Sequence, residues 1–281
     1  MSLDLDDRQR AMLHEMGVHV WWPKGDAALA QAPAAAPSAL AASIQPKVEN
    51  APVTIANNID NTGAKNPFNA QSKAGNVASM NWLTLKTSVT SCQACKLCES
   101  RKNTVFGVGQ MPLEPQLAPR VDWMVVGEAP GENEDRIGEP FVGQAGQLLD
   151  NMLKAMKLSR QNNVYIANVI KCRPPHNRNP EPTEIASCEP YLHRQIELLQ
   201  PKIILAMGKF AATTLLRATV PDVDKTPLGR LRGQVHVYQH GGLQIPVIAT
   251  YHPAYLLRSL QEKAKAWADL CLAMAEMRRM A

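Results

Sequence analysis

Residues 121–141 read VDWMVVGEAPGENEDRIGEPF, and the first six decide the fold. Residues 121–126 are a short apolar, valine-rich run, the pattern of a strand buried on both faces. The run ends in Gly127 and the turn Ala129-Pro130-Gly131. There glycine lets the backbone approach a ligand closely and proline fixes the turn. Five acids follow in quick order (Glu128, Glu132, Glu134, Asp135, Glu139), in a chain whose formal net charge is +5. In an α/β sheet the carboxyl end of a strand is where a ligand site forms. A solvated acidic loop is the bland alternative.

Outward from this stretch, three more apolar runs have the same character: 164–170 (VYIANVI), 203–207 (IILAM) and 245–251 (IPVIATY). Helical spacing separates them, at 145–156, at 182–199 with Thr183 as the N-cap candidate, at 209–217 and at 260–280. Strands alternating with helices imply an α/β fold: a three-layer α/β/α sandwich around a central four-stranded parallel sheet. The functional loops then gather after residues 126, 170, 207 and 251, and three of those four ends carry unusual chemistry.

Composition divides the 281 residues unevenly. The pattern predicts a short helix over 6–17 (DDRQRAMLHEMG) within residues 1–23, followed by VHVWWP, whose paired tryptophans make a candidate docking peptide for a protein partner; a frayed terminus is the alternative. Residues 24–82 are rich in Ala, Pro, Asn, Ser and Gln, the composition of a disordered linker. The expected folded domain is 83–281, long enough for a proper core. Residues 1–84 carry 6 Lys/Arg and 7 Asp/Glu, so the remainder of the 30 and 25 is 24 against 18, about +6. That balance is compatible with nucleic acid without demonstrating it. No apolar run is long enough to cross a membrane, and the acidic start lacks a secretory pattern, so the expectation is a cytoplasmic protein.

Six cysteines in such a chain point to metal or redox chemistry before disulfides. Cys92, Cys95 and Cys98 lie in CQACKLC; Cys172 and Cys188 lie 16 residues apart, either side of a proline-rich loop. A C-x-x-C pair with two distant cysteines offers four thiolates, which suit either zinc or a [4Fe–4S] cluster. Buried free thiols, an unrelated reducible pair or a lone C-x-x-C are the bland alternatives. Cys271 falls on the apolar face of the last helix, and Cys98 stays ambiguous.

In IANVIKCRPPHNR (166–178), Asn168 sits in a strand, where an amide is disfavoured without a role. Its one acceptor and two donors can pair with the adjacent N3–H and O4 of a uracil edge; a core Asn satisfied by backbone is the alternative. Arg173 and Arg178 flank a rigid CRPPHN loop suited to a phosphate backbone. In TYHPAYLLR (250–258), His252 ends the last strand and can donate to a developing negative charge. Tyr255, Leu256 and Leu257 beside Arg258 form an apolar tip that can wedge into a base stack while the arginine holds phosphate.

Together, GEAPGENED with EPFVGQAGQLL, IANVIKCRPP, HPAYLLR and the cysteine spacing resemble the family 4, iron–sulfur uracil-DNA glycosylases, over about residues 88–260. The resemblance implies a uracil-DNA glycosylase-like fold and a base-excision repair enzyme. Such an enzyme flips uracil out of single- or double-stranded DNA and hydrolyses its N-glycosidic bond. It implies a [4Fe–4S] cluster on Cys92, Cys95, Cys172 and Cys188, without Cys98. It implies Phe141 as stacking ring, Asn168 as edge reader, and His252 with amides near Glu128 and Ala129 at O2. Leu256 is then the wedge, with Arg173 and Arg258 on DNA.

Ala129 stands where related enzymes place an Asp or Asn to orient water, so Glu128, Glu134 and Asn177 are the polar candidates. Gly131 replaces a tyrosine that excludes thymine's methyl, and Glu134 is expected to fill that space. A covalent trap in one branch relies on a histidine in an inserted KRRIH segment, absent here; Asn177 stands at about that position, next to His176. The alternative to the enzyme is a catalytically silent or covalently trapping uracil-DNA-binding protein. The expected working form is a nucleoid-associated monomer.

Overall fold

The computed structural model describes residues 77–109 and 121–280. The expected helix over 6–17, the tryptophan peptide at 18–23 and most of 24–82 lie outside the described residues. Order begins earlier than composition suggests, because Val77 and Trp82 are buried in the core. Helix α1 (Trp82–Thr90) starts on Asn81, whose side chain accepts the Thr84 amide at 2.9 Å. It buries Trp82, Leu85 and Val89 on one face. Trp82 meets Phe106 and Tyr165 edge-on, at 5.1 and 5.3 Å between centroids, which pins this helix to the sheet.

Short α2 (Leu97–Ser100) and β1 (Val108–Gly109) follow. Then come β2 (Trp123–Gly127), α3 (Glu132–Ile137), α4 (Gln144–Ala155) and β3 (Val164–Asn168). A 3-10 turn (Pro175–Asn177) leads to α5 (Pro182–Leu199), β4 (Ile203–Met207), α6 (Lys209–Leu216) and α7 (Leu228–Leu231). The chain closes with β5 (His236–His240), β6 (Leu243–Thr250), α8 (Pro253–Arg258) and α9 (Lys263–Met280).

The sheet has six strands in the order β1-β3-β2-β4-β6-β5. β3, β2, β4 and β6 pair in parallel, while β1 and β5 pair antiparallel at the edges. The expectation of four strands therefore omits both edges. β1 is only two residues long, and in β5 only Tyr238 is buried, so neither carries the apolar run that marks an inner strand. The residues of β2, β3 and β4 are buried throughout. Alternation sends Met124 and Val126 into one core with α1, α5 and α6, and Trp123 and Val125 into another with α4 and α9. Two cores on either side of one sheet make the three-layer α/β/α sandwich.

Helix α5 starts at Pro182 with Glu181 as N-cap, not at Thr183. Proline is preorganised for the first helical position, which moves Thr183 inside the first turn. Glu184 then reaches back to the Glu181 amide at 2.8 Å.

Candidate active site

Register aligns the carboxyl ends of the parallel strands: Gly127 lies opposite Asn168, and Met207 opposite Thr250. The loops leaving those ends enclose a cavity of about 560 Å3. Its wall includes Glu128, Ala129, Glu134, Phe141, Asn168, Asn177, His252 and Arg258. Sequence positions spread over more than a hundred residues thus converge on one hollow. The end after Met207, which looked unremarkable in sequence, adds Gly208 and Lys209; Tyr251 joins from just after β6 and Tyr255 from α8.

Asn168 is the last residue of β3 and is 1% exposed. Its Oδ1 is buried and has no hydrogen-bond partner among the described residues. Such an atom costs free energy unless something pairs with it. Gly127 faces it across the strand pair: a Cβ there would lie 2.4 Å from Asn168 Oδ1 and 2.6 Å from Phe141 Cζ. Only a residue without a side chain allows the amide and the ring to stand this close. Behind Asn168, the buried Lys171 Nζ donates to its backbone carbonyl at 2.7 Å and to Gln195 Oε1 at 2.6 Å. The peptide that carries the amide is thereby fixed.

His252 is the N-cap of α8, and its Nδ1 accepts the Ala254 amide at 3.2 Å. Its ring stacks beside Phe141, 5.4 Å between centroids and 27° between planes. Burial pushes the imidazole down to about 4, helped by the nearby Arg258 cation and opposed by the Glu134 carboxylate. At neutral pH the ring is therefore uncharged. With Nδ1 occupied as an acceptor, the single proton is on Nε2, which makes His252 a neutral donor.

The three candidates for positioning water differ in what they already hold. Glu134 Oε2 accepts the Gly131 amide at 3.1 Å, and its Oε1 accepts Val142 and Gly143 at 2.8 and 3.0 Å. It braces two loops, and a Cβ on Gly131 would lie 2.6 Å from its Oε2. The carboxylate therefore fills the space a side chain at 131 would take. Glu128 Oε1 accepts the Phe210 amide at 3.2 Å, while burial raises its carboxyl above the ordinary range. Asn177 Oδ1 accepts Arg173 Nε at 2.8 Å.

The structure bears on two expectations about DNA contacts. Leu256 is fully buried in the core beside α4 and α9, so it cannot enter a base stack. On the short helix α8 the inward residues are Pro253 and Leu256, at i and i+3, while Tyr255 and Leu257 are 38% and 39% exposed. The helical period, once α8 is recognised, carries that signal. Truncating Leu256 to alanine is expected to cost about 2–5 kcal/mol of stability, read by thermal melting. Leu257→Ala, at an exposed position, is expected to melt like the parent protein. Arg173 does not line the cavity; its guanidinium bonds Asn177 and lies 3.3 Å from Glu132. Arg258 does line it.

Cys92, Cys95, Cys172 and Cys188 border another, smaller hollow together with Arg101 and Tyr191. Cys98 does not line it. Two donors point at the sulfurs: Arg101 Nη1 to Cys172 at 3.2 Å and the Lys171 amide to Cys188 at 3.3 Å. Among the described residues no three ligating side chains close on a single metal ion. A zinc ion at a Zn–S distance of ~2.3 Å would draw four sulfurs into close mutual contact. A cubane instead places each thiolate on its own iron, and four cysteines suit either group.

Residues 114–271 match the family model of the uracil DNA glycosylase superfamily. The chain belongs to that superfamily. It is similar to the type-4 uracil-DNA glycosylase of Sulfurisphaera tokodaii, with 42% identity over 173 residues, 62% of this chain and 74% of that protein. The type-4 uracil-DNA glycosylase of Archaeoglobus fulgidus is 43% identical over 169 residues, covering 60% of this chain and 79% of its own. That of Thermotoga maritima is 42% identical over 171 residues, covering 61% and 80%. No helix among the described residues is long and apolar enough to cross a membrane.

Proposed function

We infer that the protein is a uracil-DNA glycosylase of base excision repair, acting in the cytoplasm. One observation carries the reading: the orphaned Asn168 Oδ1, buried at the floor of the cavity within reach of the Phe141 ring. Enzymes that act on a base take it out of the stack and read its edge in a pocket. Asn168 accepts from uracil N3–H through Oδ1 and donates to O4 through its amide nitrogen. Phe141 stacks on the base. His252 Nε2–H donates to O2 as negative charge develops on the departing uracil. This requires no proton transfer from the imidazole, since electrostatic stabilisation of the leaving anion lowers the barrier. Glu128 and Asn177 remain the groups for the attacking water, because all of the backbone pairing at Glu134 is already made.

Purified protein incubated with a uracil-containing single strand, then alkali, is expected to give cleavage at the uracil. No abasic product from anaerobically and aerobically prepared protein alike would sink the enzyme reading. The exposed His176 is not part of the cavity wall, so turnover and not a denaturation-resistant adduct is expected on a gel.

Cys92, Cys95, Cys172 and Cys188 would hold a [4Fe–4S] cluster, supported by the four-thiol ring, its two donors and the similarity to type-4 enzymes. Bound there, the cluster would cross-link the turn between α1 and α2, the Lys171 loop and α5. Brown protein with iron and sulfide in equal amounts is the expected result; stoichiometric zinc would overturn it.

Glu134 is the proposed barrier to thymine, since its carboxylate fills the space beside Gly131. Glu134→Ala is expected to admit thymine-containing DNA weakly and to slow uracil release about tenfold or more, because three amides lose their acceptor. An unchanged rate with unchanged rejection of thymine would refute this.

A further inference from the structure

We propose that Arg160 is a positioning residue that clamps the Phe141 peptide and so aims the ring at the flipped base. This rests on the reading of Phe141 as the uracil platform. Phe141 has φ of +56°, in the left-handed region. For a bulky side chain that conformation is costly and persists only where its surroundings enforce it, a pattern concentrated at functional sites.

Arg160 supplies the enforcement from nineteen residues away. Its Nη1 donates to the Pro140 carbonyl at 2.9 Å and its Nη2 to the Phe141 carbonyl at 2.5 Å. Its Nε donates to Asp150 Oδ1 at 2.5 Å, on α4. One planar fork thus holds two successive carbonyls and anchors them to a helix, a task for which lysine's single ammonium is unsuited. From the other side, Gly146 presses on the same carbonyl: a Cβ there would fall 1.7 Å from Phe141 O. Beyond Phe141, Glu134 takes the Val142 and Gly143 amides. The Pro140 and Phe141 carbonyls and the Val142 and Gly143 amides are therefore all committed, and the Arg160 side chain, 15% exposed, is not itself part of the cavity wall. Its effect on the base passes through the ring.

The test uses the full chain, free uracil as the probe and the inhibition constant as the readout. Arg160→Ala is expected to raise the uracil inhibition constant on the order of ten- to a hundredfold, the scale of a catalytic group displaced by about an ångström. Methylguanidinium in the assay is expected to restore much of the loss, and methylammonium to restore none. Arg160→Lys, which keeps the charge beside Asp150, is expected to melt near the parent temperature and still bind uracil weakly. An inhibition constant within about twofold of the parent in both variants, or a loss that methylguanidinium leaves untouched, overturns the proposal. Phe141→Ala separates the two readings. If it leaves uracil inhibition unchanged, the platform itself is wrong; if it weakens inhibition while both Arg160 variants do not, only the clamp is wrong.

Discussion

Replacing Asn168 with alanine is expected to lower kcat/KM on uracil-containing DNA by roughly 10³-fold without lowering the melting temperature. The size follows from what the site is built to do. A buried group that pairs with one polar edge discriminates strongly, and losing a preorganised partner in the transition state costs about 10²–10³ in rate. The stability half follows from the orphaned Oδ1, which has no partner among the described residues to lose. Removing a buried unsatisfied acceptor is neutral or favourable, whereas removing one member of a satisfied core pair costs about 1–3 kcal/mol. The two readings of this amide therefore diverge in sign. If Asn168→Ala melted several degrees lower with activity near that of the parent, Asn168 would be a structural core residue and the pocket assignment would fail. Asn168→Asp keeps the acceptor for N3–H but places a second oxygen against O4, so it is expected to recover little.

Much of this site was legible because its chemistry interrupts its patterns. Asn168 breaks a run of apolar strand residues, and His252 follows a strand directly. Gly127 and Phe141 bracket a loop whose acids are out of place in a basic domain. The inner strands were legible for the same reason, since full burial leaves no alternation to confuse. What escaped lacks a local signature. β1 is too short to carry a pattern, and β5 is a polar edge. Leu256 and Leu257 are indistinguishable until the start of α8 sets the helical phase. The roles of Glu134 and Arg160 depend on backbone amides and carbonyls at a distance, and only the three-dimensional structure brings those together.

His252→Asn is expected to reduce kcat by about 10²–10³ at every pH from 6 to 8, because it removes the Nε2–H donor while an Asn still caps α8. The cap matters to the choice of variant: alanine would also orphan the Ala254 amide, now held by Nδ1 at 3.2 Å, and would mix a folding defect with a chemical one. The pH profile then tests the protonation state. With its folded value near 4, against an ordinary 6.5, His252 stays neutral through the working range. The parent enzyme should accordingly show no histidine inflection between pH 6 and 8. An inflection near 6.5 that vanishes in His252→Asn would mean that the imidazolium, not the neutral ring, serves O2. Stability provides the independent check. The folded pKa lies below the unfolded one, so the unfolded chain binds the proton first as pH falls. Folding free energy is then lost progressively from about pH 6.5 down to about 4, by up to ~3 kcal/mol. His252→Asn has no proton to take up at this position, so its melting temperature should fall less steeply than the parent's across that window. Equal slopes would mean that the ring is more solvated than its surroundings imply, and that the hydrogen bond to O2 competes with water.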